Sequence, residues 1–415
     1  MYLRPVIFVL CTVLTLIAAG CNGAQELDEV AYILSVGLDA APNNQLAITY
    51  RIAIPTTISG VEPSQGSSKK SSVVVTVIAP TMTDGRNLLN SIISRSPKVF
   101  HIKTIVIGEE LARKGLSDLV SSVMRFRDYR ETIILAIARG SAKDLIVANQ
   151  PELDVLPSRW VESMFQSYYE SSYYLRADLH QFYKRLKNET GAPYAVVMGI
   201  NPLSGKGQAE NRPLGEDKGR AYIASQIPRY NGNPVEVCGT AVFKGDKLVG
   251  FLDSKQTRAL SILLGDWKRG FMSVEDPLLP TKPVNVNIHL SGKPAITVDI
   301  SSAIPAITIK LSLEGEFTAI SSGINYESED YKVLLEHQVS NTIFEQILDM
   351  LSVTQGLGTD VVNFGYYIRP LFNTIQALEA YNWNSKYPEA SITLEVETHL
   401  RRSGLMRKTM PIRED

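Results

Sequence analysis

The five histidines, His101, His180, His289, His337 and His399, never stand three or four residues apart, so no two can share one face of a helix. No His-Glu-x-x-His, Cys-x-x-Cys or paired-histidine spacing exists, and the sequence supports no metal centre. Ser67 and Lys70 satisfy Ser-x-x-Lys, in which lysine activates serine. That chemistry needs a rigid helix start, and these two lie in a Ser/Gly-rich stretch. "GINPLSGKGQ", residues 199–208, comes close to a phosphate loop. The loop needs four residues between its glycines and a hydroxyl after its lysine, whereas five separate Gly199 from Gly205 and Gly207 follows Lys206. Without the hydroxyl there is no Mg²⁺ ligand. Glu314, Glu316, Glu327 and Glu329 could furnish an acid–base pair, but a charged turn accounts for them more simply. The spacing therefore predicts no catalytic residue, no metal and no cofactor, and it leaves any ligand-binding position unknown.

One residue does carry a chemical signature. Cys21 ends "LTLIAAGC", after a single positive charge at Arg4 and an almost wholly apolar run from Pro5 to Ala19. That run is shorter than the roughly 20 residues of a membrane-spanning helix. Charged, then apolar, then small is the order of an export signal. Ala18, Ala19 and Gly20 before the cysteine resemble the bacterial lipobox, with Ala18 where the common pattern has Leu. Only a thiolate is nucleophilic enough at moderate pH to form a thioether with a lipid donor, so Cys21 is the expected lipid attachment site, carrying a diacylglycerol. Two acyl chains anchor stably, at roughly 0.8 kcal/mol per buried CH₂, where one is marginal. Residues 1–20 then leave as a lipoprotein signal peptide. Cys11 leaves with them, and Cys238 remains the one free thiol, so no disulfide framework is possible.

The elements around this anchor must form a core of their own. About 395 mature residues suffice for two or three domains. Composition is ordinary, 44% apolar and 20% charged, and removing Arg4 leaves 41 basic against 43 acidic residues. Near-neutral charge gives no footprint for nucleic acid. Behind the tether "NGAQELDEV", strands are expected at "AYILSVGLD" and "LAITYRIAI", then a loop over 56–72 and a strand at "VVVTVIA". Helices at "TDGRNLLNSIISRS", "SDLVSSVMRFRD" and "SAKDLIVA" alternate with strands at "VFHIKTIVIG" and "ETIILAIA", which argues an α/β lobe. Residues 157–187 read as aromatic-rich helices whose Trp160, Phe165, Tyr168, Tyr169, Tyr173 and Tyr174 are more simply core than a stacking surface. A strand "AVVMGI" precedes a Gly-rich loop over 201–220. "EVCGTAVFKGDKLVGFLD" then reads as a hairpin turning at Gly245 and Asp246, followed by a helix capped by Asp253 or Ser254. The last third has three strands and a long helix with an apolar stripe of Tyr331, Leu335, Val339, Ile343, Ile347 and Leu351. A second helix, a final strand "ASITLEVETHL" and a basic tail follow. The expected architecture is α+β with mixed sheets and packed helices, an exported, lipid-anchored ectodomain of three domains. They are an N-terminal α/β domain over 21–190 with the aromatic-rich helices, a middle domain over 191–275 and a C-terminal α+β domain over 276–408.

The run "CGTAVFKGDKLVGFLDSKQTRALSILLG", residues 238–265, resembles the most characteristic stretch of the Ger(x)C lipoproteins, the C subunits of spore germination receptors. "CNGAQELDEVAYILSVGLD" is similar to that family's start, and the likeness continues in "GTDVVNFGYYIRP" and "ITLEVETHLRRSGL". Asn22 and Gln256 depart from the family's usual Trp and Glu. The resemblance implies a non-enzymatic subunit on the outer face of the inner spore membrane. Its partners there would be two integral-membrane subunits, A and B, and it would be required for the response to nutrients. A lipid-anchored solute-binding protein is the alternative, and it would need two similar lobes that the last third does not provide. On this reading Cys21→Ala releases the chain from membranes into the soluble fraction. Mass spectrometry finding an unmodified Cys21, or a different mature N-terminus, would contradict it.

Overall fold

A computed structural model describes residues 29–54, 71–153, 157–202 and 221–402. The expected signal peptide, Cys21, most of the loop expected over 56–72 with Ser67 and Lys70, most of the loop over 201–220 and the basic tail lie outside the described residues, and Ser72 opens a strand instead of closing that loop.

The strands β1 (Val30–Ala41), β2 (Gln45–Ala53) and β3 (Ser72–Ala79) form an antiparallel meander. Beside β1 the sheet turns parallel through β5 (Thr104–Gly108), β6 (Ile134–Ala138) and β7 (Tyr194–Ile200), with a three-residue β4 (Ser96–Lys98) alongside β1. β5 and β6 are buried on both faces, which explains their unbroken apolar sequences. Ile105, Ile107, Leu135 and Ile137 face one core with helices α1 (Met82–Ile92), α2 (Glu109–Lys114) and α3 (Ser117–Arg125). Val106, Ile134, Ala136 and Ala138 face a second core with α4 (Ala142–Ala148) and α5 (Pro157–Gln166). This alternation by one residue is the pleat acting on consecutive side chains.

Asp39, the acid of the "VGLD" motif, caps α4 by accepting from Ala142 N at 2.8 Å and Lys143 N at 2.9 Å. The expected strand over "VFHIKTIVIG" begins only at Thr104, because Ile102 N donates to Val99 O in a turn that sets His101 and Phe100 edge-to-face with Tyr32.

The expected boundary at residue 190 does not separate two units. β7 pairs in parallel with β6, and the hairpin β8 (Val235–Lys244) and β9 (Lys247–Leu252) pairs onto β7, completing one nine-stranded sheet. The middle region is divided between the two sheets, since β10 (Gly270–Glu275) joins the second. That sheet runs β10, β11 (Pro283–Leu290), β13 (Ala306–Ile320), with β12 (Ala295–Asp299) antiparallel and β14 (Ser391–Arg402) parallel to β13. Glu314 and Glu316 stand in β13, not in a turn, and they bond Arg401 and Asn287 respectively. The 28-residue helix Glu329–Gly356 packs along β14 and blunts its edge, with Glu336 accepting from Leu400 N at 2.7 Å. Its stripe is buried from Leu335 to Leu351, but Tyr331 is 44% exposed.

The aromatic-rich stretch divides by position. Phe165 and Tyr174 are core and Trp160 and Tyr168 half-buried, while Tyr173 reaches the surface. α6 (Tyr168–Ser171) and α7 (Leu179–Leu186) complete this region.

At the hairpin turn Gly245 has φ +58 with open space around it, whereas Gly239 has φ +94 and a Cβ there would lie 2.7 Å from Leu252 O. Gly245→Val is therefore expected to cost about 1–2 kcal/mol of strain alone. Gly239→Ala should cost more, because it adds a clash with backbone. Denaturant midpoints that rank the two the other way would mean a different hairpin register.

Candidate functional site at the junction of the sheets

The residues that carry the most distinctive sequence converge where the two sheets meet. Helix α8 (Ser254–Leu264) starts at Asp253, whose carboxylate accepts from Lys255 N at 2.8 Å and Gln256 N at 3.0 Å. Gln256 answers by accepting from Asp253 N at 3.1 Å, a complete capping box that glutamine serves as well as glutamate. Its amide also donates to Asp349 on the long helix at 2.9 Å, a bond a glutamate could not give. Eight of the helix's eleven residues are buried, on every side. Ala259, Leu260, Ile262 and Leu263 join Val242 and Leu252 of the first sheet to Val286, Ile309 and Leu313 of the second in one cluster.

Two polar groups sit inside this apolar wedge. Thr257 bonds Thr240 of β8 at 3.1 Å between hydroxyls. Arg258, 5% exposed, donates from Nε to Ser172 Oγ at 3.3 Å and lies 5.2 Å over the Tyr173 ring. Burial pulls the guanidinium below the usual arginine range, and Tyr173 opposes the shift. Tyr173, at the surface end of the aromatic stretch, thus covers a buried cation.

A clasp at Asp360 holds the other side of the junction. Its carboxylate accepts from Asn363 N at 2.7 Å, Gly365 N at 3.0 Å and Trp383 Nε1 at 2.8 Å. Burial raises its pKa, and those donors pull it back. The segment it shapes docks on the first sheet: Asp360 O accepts from Ala192 N at 2.9 Å, Val361 O from Arg185 Nη1 at 2.8 Å, and Thr359 Oγ1 donates to Phe243 O at 2.5 Å. Arg185 lies 4.7 Å over Tyr194, which fixes it between the two surfaces. Neither Arg185 nor Asp360 was singled out by residue type. The only sequence sign was that "GTDVVNFGYYIRP" combines an acid with an Asn and a Gly within five positions.

The hairpin turn reaches across to α3: Asp246 Oδ2 accepts from Ser117 N at 3.0 Å, and Asp246 O from Leu116 N at 3.1 Å. Cys238 is fully buried in β8, and burial pushes its thiol up to about 12, so it is an inert core residue at neutral pH. Among the described residues no three His, Cys, Asp or Glu side chains could hold a metal ion together. The histidines are scattered: His180 faces Glu131, His399 faces Glu397 and His101 meets Tyr32 edge-to-face. The phosphate-loop-like stretch shows only Gly199 to Pro202 among the described residues, with Gly199 inside β7. The arrangement is suited to coupling two rigid bodies.

Two family models match the chain, one described as the spore germination protein N-terminal domain over residues 23–200, the other as spore germination B3/GerAC-like, C-terminal, over 238–404. The boundary between them falls between β7 and β8, which are hydrogen-bonded neighbours in one sheet. Spore germination protein KC of Bacillus subtilis (strain 168) is 22% identical over 406 residues, covering 96% of this chain and 95% of its own. Spore germination protein B3 of the same organism is 23% identical over 335 residues, covering 80% and 78%. The crystal structure of the GerBC protein shares the fold with a TM-score of 0.52 at 18% identity, over 88% of this chain and 96% of that one.

Asp360→Ala would leave three buried donors unsatisfied, and it is expected to lower stability by about 3 kcal/mol or more. Asp360→Asn keeps the shape and one acceptor and should cost roughly half as much. Equal denaturant midpoints for wild type and Asp360→Ala would show that the clasp does not hold the junction.

Proposed function

The chain belongs to the Ger(x)C family of spore germination proteins, and from that premise we propose that it is the C subunit of a nutrient germinant receptor. It is anchored by a diacylglycerol on Cys21 and works by contact with the receptor's integral-membrane A and B subunits, without catalysis of its own. The observation that carries this reading is the spread of the family match over 23–200 and 238–404, with the family's densest motifs assembled into the joint between the sheets rather than around a cleft. Among the described residues no helix is long and apolar enough to cross a membrane. The motif at Cys21 is what supports attachment through a thioether. The proposed place is the outer face of the inner spore membrane.

A solute-binding protein closes two similar lobes over its ligand. The two sheets here differ in topology, nine strands with a parallel centre against five that are mainly antiparallel, and one helix wedges them together. That favours a fixed surface over a hinge.

Deletion of the gene is expected to abolish the response to the nutrient of its own receptor and to spare germination by a trigger that bypasses receptors. A normal response to every nutrient, with no redundant receptor present, would refute the assignment. Hydrolysis of wall material by the purified chain would contradict the proposal that it works without catalysis.

A further inference from the structure

Eight residues, Asn22 to Glu29, separate Cys21 from β1, which begins at Val30. At full extension the nine steps from Cys21 to Val30 span at most about 32 Å, so the end of the sheet where β1 starts lies within that reach of whatever surface holds Cys21.

That end carries a basic and apolar rim. Ser96 N donates to Glu29 O at 2.9 Å, and Tyr32 pairs with Lys98, which sets Lys98 beside the tether's exit. Arg95 and Ala31 line one hollow. Ile134 N donates to Lys103 O at 2.9 Å, so the loop before β6 hangs from the same end. A depression of about 560 Å³ there is lined by Phe126, Arg127, Tyr129 and Arg130. Between the charges Ile92 is 61% exposed, Phe126 41% and Phe100 38%.

Acids offset much of this charge, Asp128, Glu131 and Glu162 standing among the bases, and what remains is a set of bases without a partner. Asp128 stands 3.9 Å from both Arg86 and Arg127, and Glu131 faces His180 at 3.6 Å. Arg95, Lys98, Arg125 and Arg130 have no ion-pair partner among the described residues. The tether itself contributes Glu26, Asp28 and Glu29. Arg125, Arg127 and Arg130 are exposed, and Arg95 and Lys98 are half-buried. Such bases interspersed with aromatic and aliphatic side chains are the chemistry of a surface that settles on anionic headgroups, charge drawing it in and apolar groups entering the interface.

We infer that this rim is a second membrane contact, which lays the first sheet's β1 end on an anionic phospholipid surface and fixes the orientation of the chain. The inference rests on the anchored reading above, since the anchor supplies the proximity. The rim then supplies direction, presenting the junction and its flanking surfaces at a set height to membrane-embedded partners.

The test uses the full chain carrying Cys21→Ser, which cannot form the thioether. Its flotation is compared on phosphatidylcholine vesicles and on vesicles that also contain phosphatidylglycerol. The leader carries Arg4 and adds its own attraction to anionic vesicles, so the rim is read as the part of the excess that substitutions in the rim remove. The excess is expected to be about tenfold at low salt and to vanish near 0.5 M salt, where exposed charges are screened. Arg127→Gln with Arg130→Gln should reduce it several-fold, and Glu at Arg95, Lys98, Arg127 and Arg130 together should remove the rim's share of it. If the quadruple variant does not fold, the Gln pair decides. Equal flotation on both vesicles overturns the inference and leaves the rim to a protein partner. An excess that survives the substitutions undiminished overturns it too, and assigns the attraction to the leader and the basic tail. Failure of the anchor is read separately, as an unmodified Cys21 in the wild-type chain.

Discussion

Burial of one short helix on every side is the constraint on which the architecture depends. A surface helix needs a wet face, yet Ser254–Leu264 has none, because β8 and β9 cover one side and the long helix and second sheet the other. Each fully enclosed Leu or Ile on it stabilises the fold by roughly 1.5–3 kcal/mol, and that burial exists only while both sheets are in place. The two sheets therefore share a core, and neither can move without opening it.

Polar groups within that core set its geometry. A purely apolar wedge would tolerate sliding, whereas the Thr240–Thr257 bond, the capping box of Asp253 and Gln256, and the Gln256–Asp349 bond each have one productive register. Asp360 does the same across the junction, organising Asn363, Gly365 and Trp383 while its own backbone meets Ala192. Arg258, like Asp360, is a buried charged group held without an opposite charge, here by a hydroxyl and an aromatic face.

The segments 238–265 and 358–370, about a hundred residues apart in the chain, become parts of this joint. The fold resemblance to GerBC extends over most of both chains.

Local chemistry was legible from the sequence alone wherever a few neighbouring residues decide the outcome. The meander of β1, β2 and β3, the turn at Gly245, the cap at Asp253 and the long helix all follow from periodicity, turn residues and capping within about ten positions. The α+β class belongs to the same level. Only the tertiary structure decided that β7, β8 and β9 continue the first sheet instead of founding a middle domain, because strand partnership depends on backbone edges brought together over long separations. It likewise decided the roles of Asp360, Arg185 and Arg258. An acid or an arginine in a sequence has no direction, and its part is set by which donors, rings and carbonyls the fold carries to within 3 or 4 Å of it.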